Sequence, residues 1–194
     1  MKRIFALFLL LAIAAAPVSA NDAVLTKLKD TVDRVLKVLY ADGGVAKEQR
    51  TQAVREAIGD TFSFYAISRR ALARNWDKLS AEQQAEFPEL FTDLLVNTYA
   101  DRYDGDTPPK VEWGSVTDLN AKRKEVASTI YINGQPAEVL YRLALTDDSW
   151  QVYDIIAEGI SLISNYRQQF DSIIQREGVD ALMESLRNKS TPSQ

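Results

Sequence analysis

Between Trp150 and Arg167 the chain reads Trp-Gln-Val-Tyr-Asp-Ile-Ile-Ala-Glu-Gly-Ile-Ser-Leu-Ile-Ser-Asn-Tyr-Arg. This is an apolar strand that ends at Glu158-Gly159 and passes at once into an amphipathic helix, so sheet and helix belong to one packed unit. The hydrophobic period on either side extends that constraint. From Val24 to Tyr40, Leu25, Leu28, Val32, Val35, Leu36 and Leu39 recur at three and four, the spacing of an amphipathic helix ended by Asp42-Gly43-Gly44. A second helix is predicted over Lys47 to Ile58 with Val54, Ala57 and Ile58 inward, and a third over Phe62 to Leu72. Ser80 followed by Gln83 forms a capping-box pattern. The helix it opens carries Phe87, Leu90, Phe91, Leu94, Leu95 and Tyr99 on one face, with a kink rather than a break expected at Pro88.

Beyond the Asp104-Gly-Asp-Thr-Pro-Pro109 loop the period becomes alternating. Val111, Trp113 and Val116 mark one strand, Glu125 to Ile132 a second, Glu138 to Leu145 a third and Trp150 to Ala157 a fourth. Asn133-Gly134 and Asp147-Asp148-Ser149 are turn signals between them. Helices then return over Ser161 to Arg176 and Val179 to Arg187. The expected fold is α+β, with helices packed on one side of a four-stranded antiparallel meander. A sheet covered on one face alternates cleanly, yet Val139-Leu140 and Ile155-Ile156 are adjacent and Tyr153 opposes the Val152 face. Either helices cover both faces, or the additional apolar surface lines a cavity.

Lys2 and Arg3, an apolar run from Ile4 to Ala16 and the small residues Val18-Ser19-Ala20 describe a secretory signal peptide cleaved after Ala20. The run is too short for a membrane span, and no cysteine follows it to take a lipid anchor. Residues 21–189 are then read as one domain and 190–194 as a disordered tail. The whole chain carries a net charge of −4, and loss of Lys2 and Arg3 makes it more acidic, which disfavours nucleic acid as a partner. With no cysteine and no histidine, a Ser-His-Asp triad, a thiol nucleophile and the usual zinc sites are all excluded.

Three clusters remain for chemistry. Asp101, Asp104 and Asp106 lack the alternation, glycine and distant glutamate of a calcium loop, so they read as a solvated turn. Asp154 and Glu158, four apart on the last strand, could face each other as general acid and base. Glu158 is equally placed to meet the amides opening the next helix. Arg69, Arg70 and Arg74 beside Trp76 could hold a phosphate headgroup or form a solvated helix face.

Phe62-Ser-Phe-Tyr-Ala-Ile-Ser-Arg-Arg-Ala-Leu-Ala-Arg-Asn-Trp76, Ser80-Ala-Glu-Gln-Gln-Ala-Glu-Phe87 and Val152-Tyr-Asp-Ile-Ile-Ala-Glu-Gly-Ile-Ser-Leu-Ile163 with Asn165-Tyr-Arg-Gln-Gln-Phe170 follow in this order. Together they closely resemble the MlaC family, also called toluene-tolerance proteins. Pro88 inside the long helix and Ala73, where relatives often carry glycine, depart from the pattern. The resemblance implies a monomeric periplasmic carrier that holds phospholipid acyl chains in an apolar pocket between sheet and helices. It implies lipid exchange with an outer-membrane MlaA lipoprotein–porin complex and an inner-membrane Mla ABC transporter, maintaining outer-membrane lipid asymmetry without a cofactor or catalysis.

Acyl burial stabilises by roughly 0.8 kcal/mol per methylene, so two chains of about fifteen methylenes amount to roughly 24 kcal/mol. A carrier needs an apolar enclosure for that and no catalytic group. The expected lining is Tyr153, Ile155, Ile160, Leu162, Ile163 and Tyr166, with Phe64, Leu72, Phe91, Leu94 and Leu95 from the helices. The same residues would serve equally as core.

Overall fold

The computed structural model describes residues 20–40, 45, 47–100 and 107–190. The signal peptide, the Asp42-Gly43-Gly44 stop, the Asp101, Asp104 and Asp106 turn, and residues 191–194 of the tail lie outside the described residues, save Ala20. Described in chain order are α1 (Ala20–Leu39), α2 (Lys47–Ile58), α3 (Phe64–Leu72), α4 (Ala81–Ala100), β1 (Lys110–Asn120), β2 (Arg123–Ile132), β3 (Gln135–Thr146), β4 (Ser149–Ala157), β5 (Ile160–Ser161), α5 (Leu162–Glu177) and α6 (Val179–Ser190). Short 3-10 turns occupy Gly59–Thr61 and Ala73–Lys78. The strands pair in the order β1-β2-β3-β4-β5, each antiparallel to the next. The fold is the expected α+β arrangement, with a two-residue fifth strand added to the four-stranded meander.

Most local expectations hold for local reasons. Ser80 and Gln83 close a reciprocal box, Gln83 N donating to Ser80 Oγ at 3.2 Å and Ser80 N to Gln83 Oε1 at 2.9 Å. Helix α4 then continues unbroken through Pro88, and Thr92 Oγ1 donates to the Pro88 carbonyl at 2.6 Å. The third helix starts two residues later than the sequence indicates. Phe62 is extended and bridges Val152 of β4, Ser63 N donates to the Val152 carbonyl at 3.1 Å, and Ser63 Oγ caps α3 through Ala66 N at 3.3 Å. Pairing with a distant strand outweighs helical periodicity there. Helix α6 runs through Ser190, one residue into the segment read as tail.

Register explains the irregular alternation. Leu143 pairs with Val152 and Arg142 with Asp154, so Tyr153 is the extra residue of a bulge. The bulge shifts the phase, placing Val152 and Ile155 opposite Leu143 and Tyr141 on one face. A second bulge in β1 falls between Trp113, opposite Ser128, and Val116, opposite Val126. Gly114 permits it: a Cβ there would stand 3.1 Å from the Ala127 Cβ. One sheet face therefore carries Val111, Trp113 and Val116, then Val126 and Ile130, then Val139, Tyr141 and Leu143, then Val152 and Ile155. The other carries Lys110, Glu112, Glu125 and Arg142.

Candidate functional site

The apolar residues divide into two main clusters. The helical cluster joins Ile67, Ala71 and Leu72 of α3, Trp76, Phe87 and Phe91 of α4, Ile163, Tyr166, Phe170 and Ile174 of α5, and Leu182, Met183 and Leu186 of α6. Its centre is an aromatic stack in which Phe91 meets Tyr166 and Phe170 edge-on at ring distances of 5.0 and 5.1 Å. The sheet cluster joins Val24 and Leu28 of α1 to Val126, Val139, Tyr141, Leu143 and Val152. Phe62 packs against both clusters. Partly covered apolar side chains flank both clusters: Phe62, Phe64, Leu90 and Leu95 beside the helical cluster, and Trp113, Val116, Ile130 and Ile155 beside the sheet cluster.

The predicted lining residues separate on this map. Leu72, Phe91, Ile163 and Tyr166 are buried in the helical cluster and account for its packing. Phe64, Leu94, Leu95 and Leu162 are half-buried at its margin, and Ile155 is half-buried on the sheet. Leu94 and Tyr166 also line an open cleft of about 490 Å³ with Phe170, Ile173, Leu182 and Leu186, edged by Asn97, Gln169, Asn188 and Lys189. Ile160 stands apart. It follows the Glu158-Gly159 turn, is 66% exposed and belongs to neither cluster. Tyr153 is buried, with the Arg70 guanidinium 4.0 Å from its ring centre. Sequence reasoning did not single out Phe62, Trp113, Val116 and Ile130, which the structure leaves partly covered beside the clusters. The uneven spacing of Trp113 and Val116 was the available signal, but only the bulge shows that both share a face.

Each of the paired carboxylates accepts hydrogen bonds from within the fold. Asp154 is buried; its Oδ2 accepts from Ser161 Oγ at 2.7 Å and its Oδ1 from Ile163 N at 3.3 Å. Ser161 Oγ in turn accepts from Ser164 N at 3.0 Å, so Asp154 and Ser161 together cap α5. Glu158 does not take that capping role; its Oε1 accepts from Glu138 N at 2.6 Å across the hairpin. Among the described residues no cluster of acidic side chains is arranged to hold a metal ion.

The arginines near Trp76 also take separate places. Arg74 lies 3.4 Å from Asp171, whose Oδ1 accepts from Asn75 Nδ2 at 2.9 Å and whose Oδ2 accepts from Gln175 Nε2 at 2.7 Å. The Asn75 hydrogen bond, followed by Arg74, holds the Asp171 carboxyl below its ordinary range. Arg69 lies 5.9 Å from the ring centres of both Tyr65 and Trp76. Arg167, inside the Trp150–Arg167 segment but not singled out there, donates from Nε to the Arg70 carbonyl at 2.9 Å.

Comparison with known proteins agrees with this architecture. A solved phospholipid-binding protein from Ralstonia solanacearum, in complex with a phospholipid, superposes with a TM-score of 0.75 at 29% identity, covering 85% of this chain and 95% of that one. A Haemophilus influenzae protein described as the intermembrane phospholipid transport system binding protein MlaC is 23% identical over 127 residues. That match takes in 63% of this chain and 59% of the relative, less than two thirds of the relative's length. A family model described as MlaC protein matches residues 29–188, from α1 nearly to the end of α6, and the chain belongs to that family.

Proposed function

We propose that this protein is a periplasmic phospholipid carrier that works by non-covalent extraction, shielding and delivery. The observation that carries the reading is the set of partly covered apolar side chains at the margins of the helical and sheet clusters, with Phe62 packed against both. Protein interiors ordinarily close-pack such residues. Here Trp113, Val116, Ile130 and Ile155 on the sheet, and Phe64 and Leu95 on the helices, remain available to acyl carbon. The phospholipid in the Ralstonia solanacearum relative and the transport name of the Haemophilus influenzae relative support this choice of ligand. The carrier would exchange lipid with an outer-membrane lipoprotein–porin complex and an inner-membrane ABC transporter, contributing to outer-membrane lipid asymmetry. Asp154 and Glu158 act as structural groups in this reading.

Organic extraction of natively purified protein, followed by mass spectrometry, tests it. Phospholipid near one molecule per chain is expected. Ile130→Asp and Leu95→Asp each set an ionised carboxylate against acyl carbon, an unfavourable burial. Each should lose most of that lipid while keeping the wild-type circular dichroism. A lipid-free wild-type extract would refute the carrier reading.

A further inference from the structure

Most arginines of the described residues are occupied. Arg34 binds the Ala57 carbonyl, Arg55 binds Glu89 and Asp93, Arg74 binds Asp171, Arg142 binds Glu125, and Arg187 grips both oxygens of Glu86. Like Arg34 and Arg123, Arg69, Arg70 and Arg167 have no carboxylate partner among the described residues. The last three lie along the seam between α3 and α5. They are nonetheless held in place. Arg70 is half-buried against the Tyr153 ring at 4.0 Å, Arg167 is tied to the Arg70 carbonyl at 2.9 Å, and Arg69 is flanked by Tyr65 and Trp76. Stacking on an aromatic face fixes the plane of a guanidinium while leaving its N–H edge free to donate. In a chain of net charge −4, these arginines place positive charge without a carboxylate partner among the described residues on one helix seam.

We infer that Arg70 and Arg167, with Arg69 beside them, form a phosphate-accepting site at the α3–α5 seam, which receives the phosphodiester of the carried lipid. This rests on the carrier reading above. It also revises the expected headgroup set, since Arg74 is committed to Asp171 and Arg167 takes its place. The guanidinium fork matches two phosphate oxygens at once, and Tyr153 joins this site to the β4 bulge beside Ile155. The chemistry would equally accept free phosphate, so the test must separate the two sources.

Stripped protein is offered vesicles containing equal amounts of phosphatidylglycerol and a diacylglycerol with the same acyl chains, and bound lipid is measured by mass spectrometry. Wild type should favour the phospholipid by about tenfold, the scale of one charge-assisted hydrogen bond or more. Arg70→Gln/Arg167→Gln should lose that preference while diacylglycerol uptake stays unchanged. Arg167→Gln alone leaves the Tyr153 stack in place and guards against a folding defect; it should lose part of the preference. A double variant that keeps the full preference overturns the inference. So does one that binds both lipids as wild type but no longer delivers them to acceptor membranes, since the arginines would then be a docking surface for an acidic partner. If wild type takes up neither lipid, the carrier reading fails first. Titration with inorganic phosphate then decides the site: saturable binding abolished in the double variant supports it, and no binding overturns it.

Discussion

Phe91 and Ile130 show how differently two apolar residues can serve one protein. Phe91 is fully buried between Phe87, Tyr166 and Phe170, so Phe91→Ala should cost about 3–5 kcal/mol in urea unfolding. Ile130 is half-covered, and truncation to Ala should cost far less while still weakening lipid retention. Ala73 presents the opposite case. It ends α3 with φ 47° and ψ −122°, a conformation that penalises a Cβ. Ala73→Gly should therefore stabilise by about 1 kcal/mol, since relieved strain exceeds the extra backbone entropy of glycine. A lower urea midpoint in that variant would contradict the strain argument. Ser68 is buried, and its hydroxyl has no hydrogen-bond partner among the described residues. Ser68→Ala should leave stability unchanged or raised, because no hydrogen bond is lost.

At the scale of elements, the junction from β4 to α5 depends on Asp154. Asp154→Ala strips the Ser161 hydroxyl and the Ile163 amide of their shared acceptor, at about 1–3 kcal/mol. Glu158→Gln keeps an oxygen able to accept from Glu138 N and should be close to neutral. Thermal melts of the two variants, with lipid content measured in parallel, separate structural from catalytic roles: lipid per folded chain should not change in either. The latch between the Ala73–Lys78 turn and α5 is pH-dependent. Asp171 has a lowered folded-state pKa, so the unfolded chain takes up that proton first as pH falls. Its stabilising contribution is present above the ordinary carboxylate pKa of about 4 and is lost as pH drops through the lowered value. Asp171→Asn should flatten that part of the melting-temperature profile below about pH 4, and an unchanged acid slope would argue against it.

For the whole molecule, the proposed carrier function should make stability depend on cargo. A ligand that binds only the folded state adds about 2.7 kcal/mol at a hundred times its dissociation constant. Stripping lipid should lower the melting temperature, and reloading from vesicles should restore it. Equal melting of stripped and loaded protein would mean that the cargo is not held by the folded cavity.

Much of this organisation was legible along the chain because it depends on near neighbours. The change of hydrophobic period, the Ser80–Gln83 box and the Asn133-Gly134 turn arise from interactions a few residues long, and α4, β2 and β3 follow them. The start of α3 was not legible, because Phe62 takes its conformation from Val152, ninety residues away in sequence. The site followed the same division. Residues of the Trp150–Arg167 segment were expected to line a pocket, but the sequence did not tell whether each is packed, half-covered or exposed. Ile163 and Ile160, three apart, fall at opposite extremes because one enters the helical cluster and the other follows a tight turn. The sequence alone determined the α+β class, the order of the strands and the absence of histidine and cysteine chemistry. Tertiary structure decided the phase of each sheet face through bulges at Tyr153 and Gly114, the capping role of Asp154 and the placing of Arg70 against Tyr153 and of Arg167 against the Arg70 carbonyl. Each of these depends on which distant groups come within a few ångströms, a relation that periodicity does not encode.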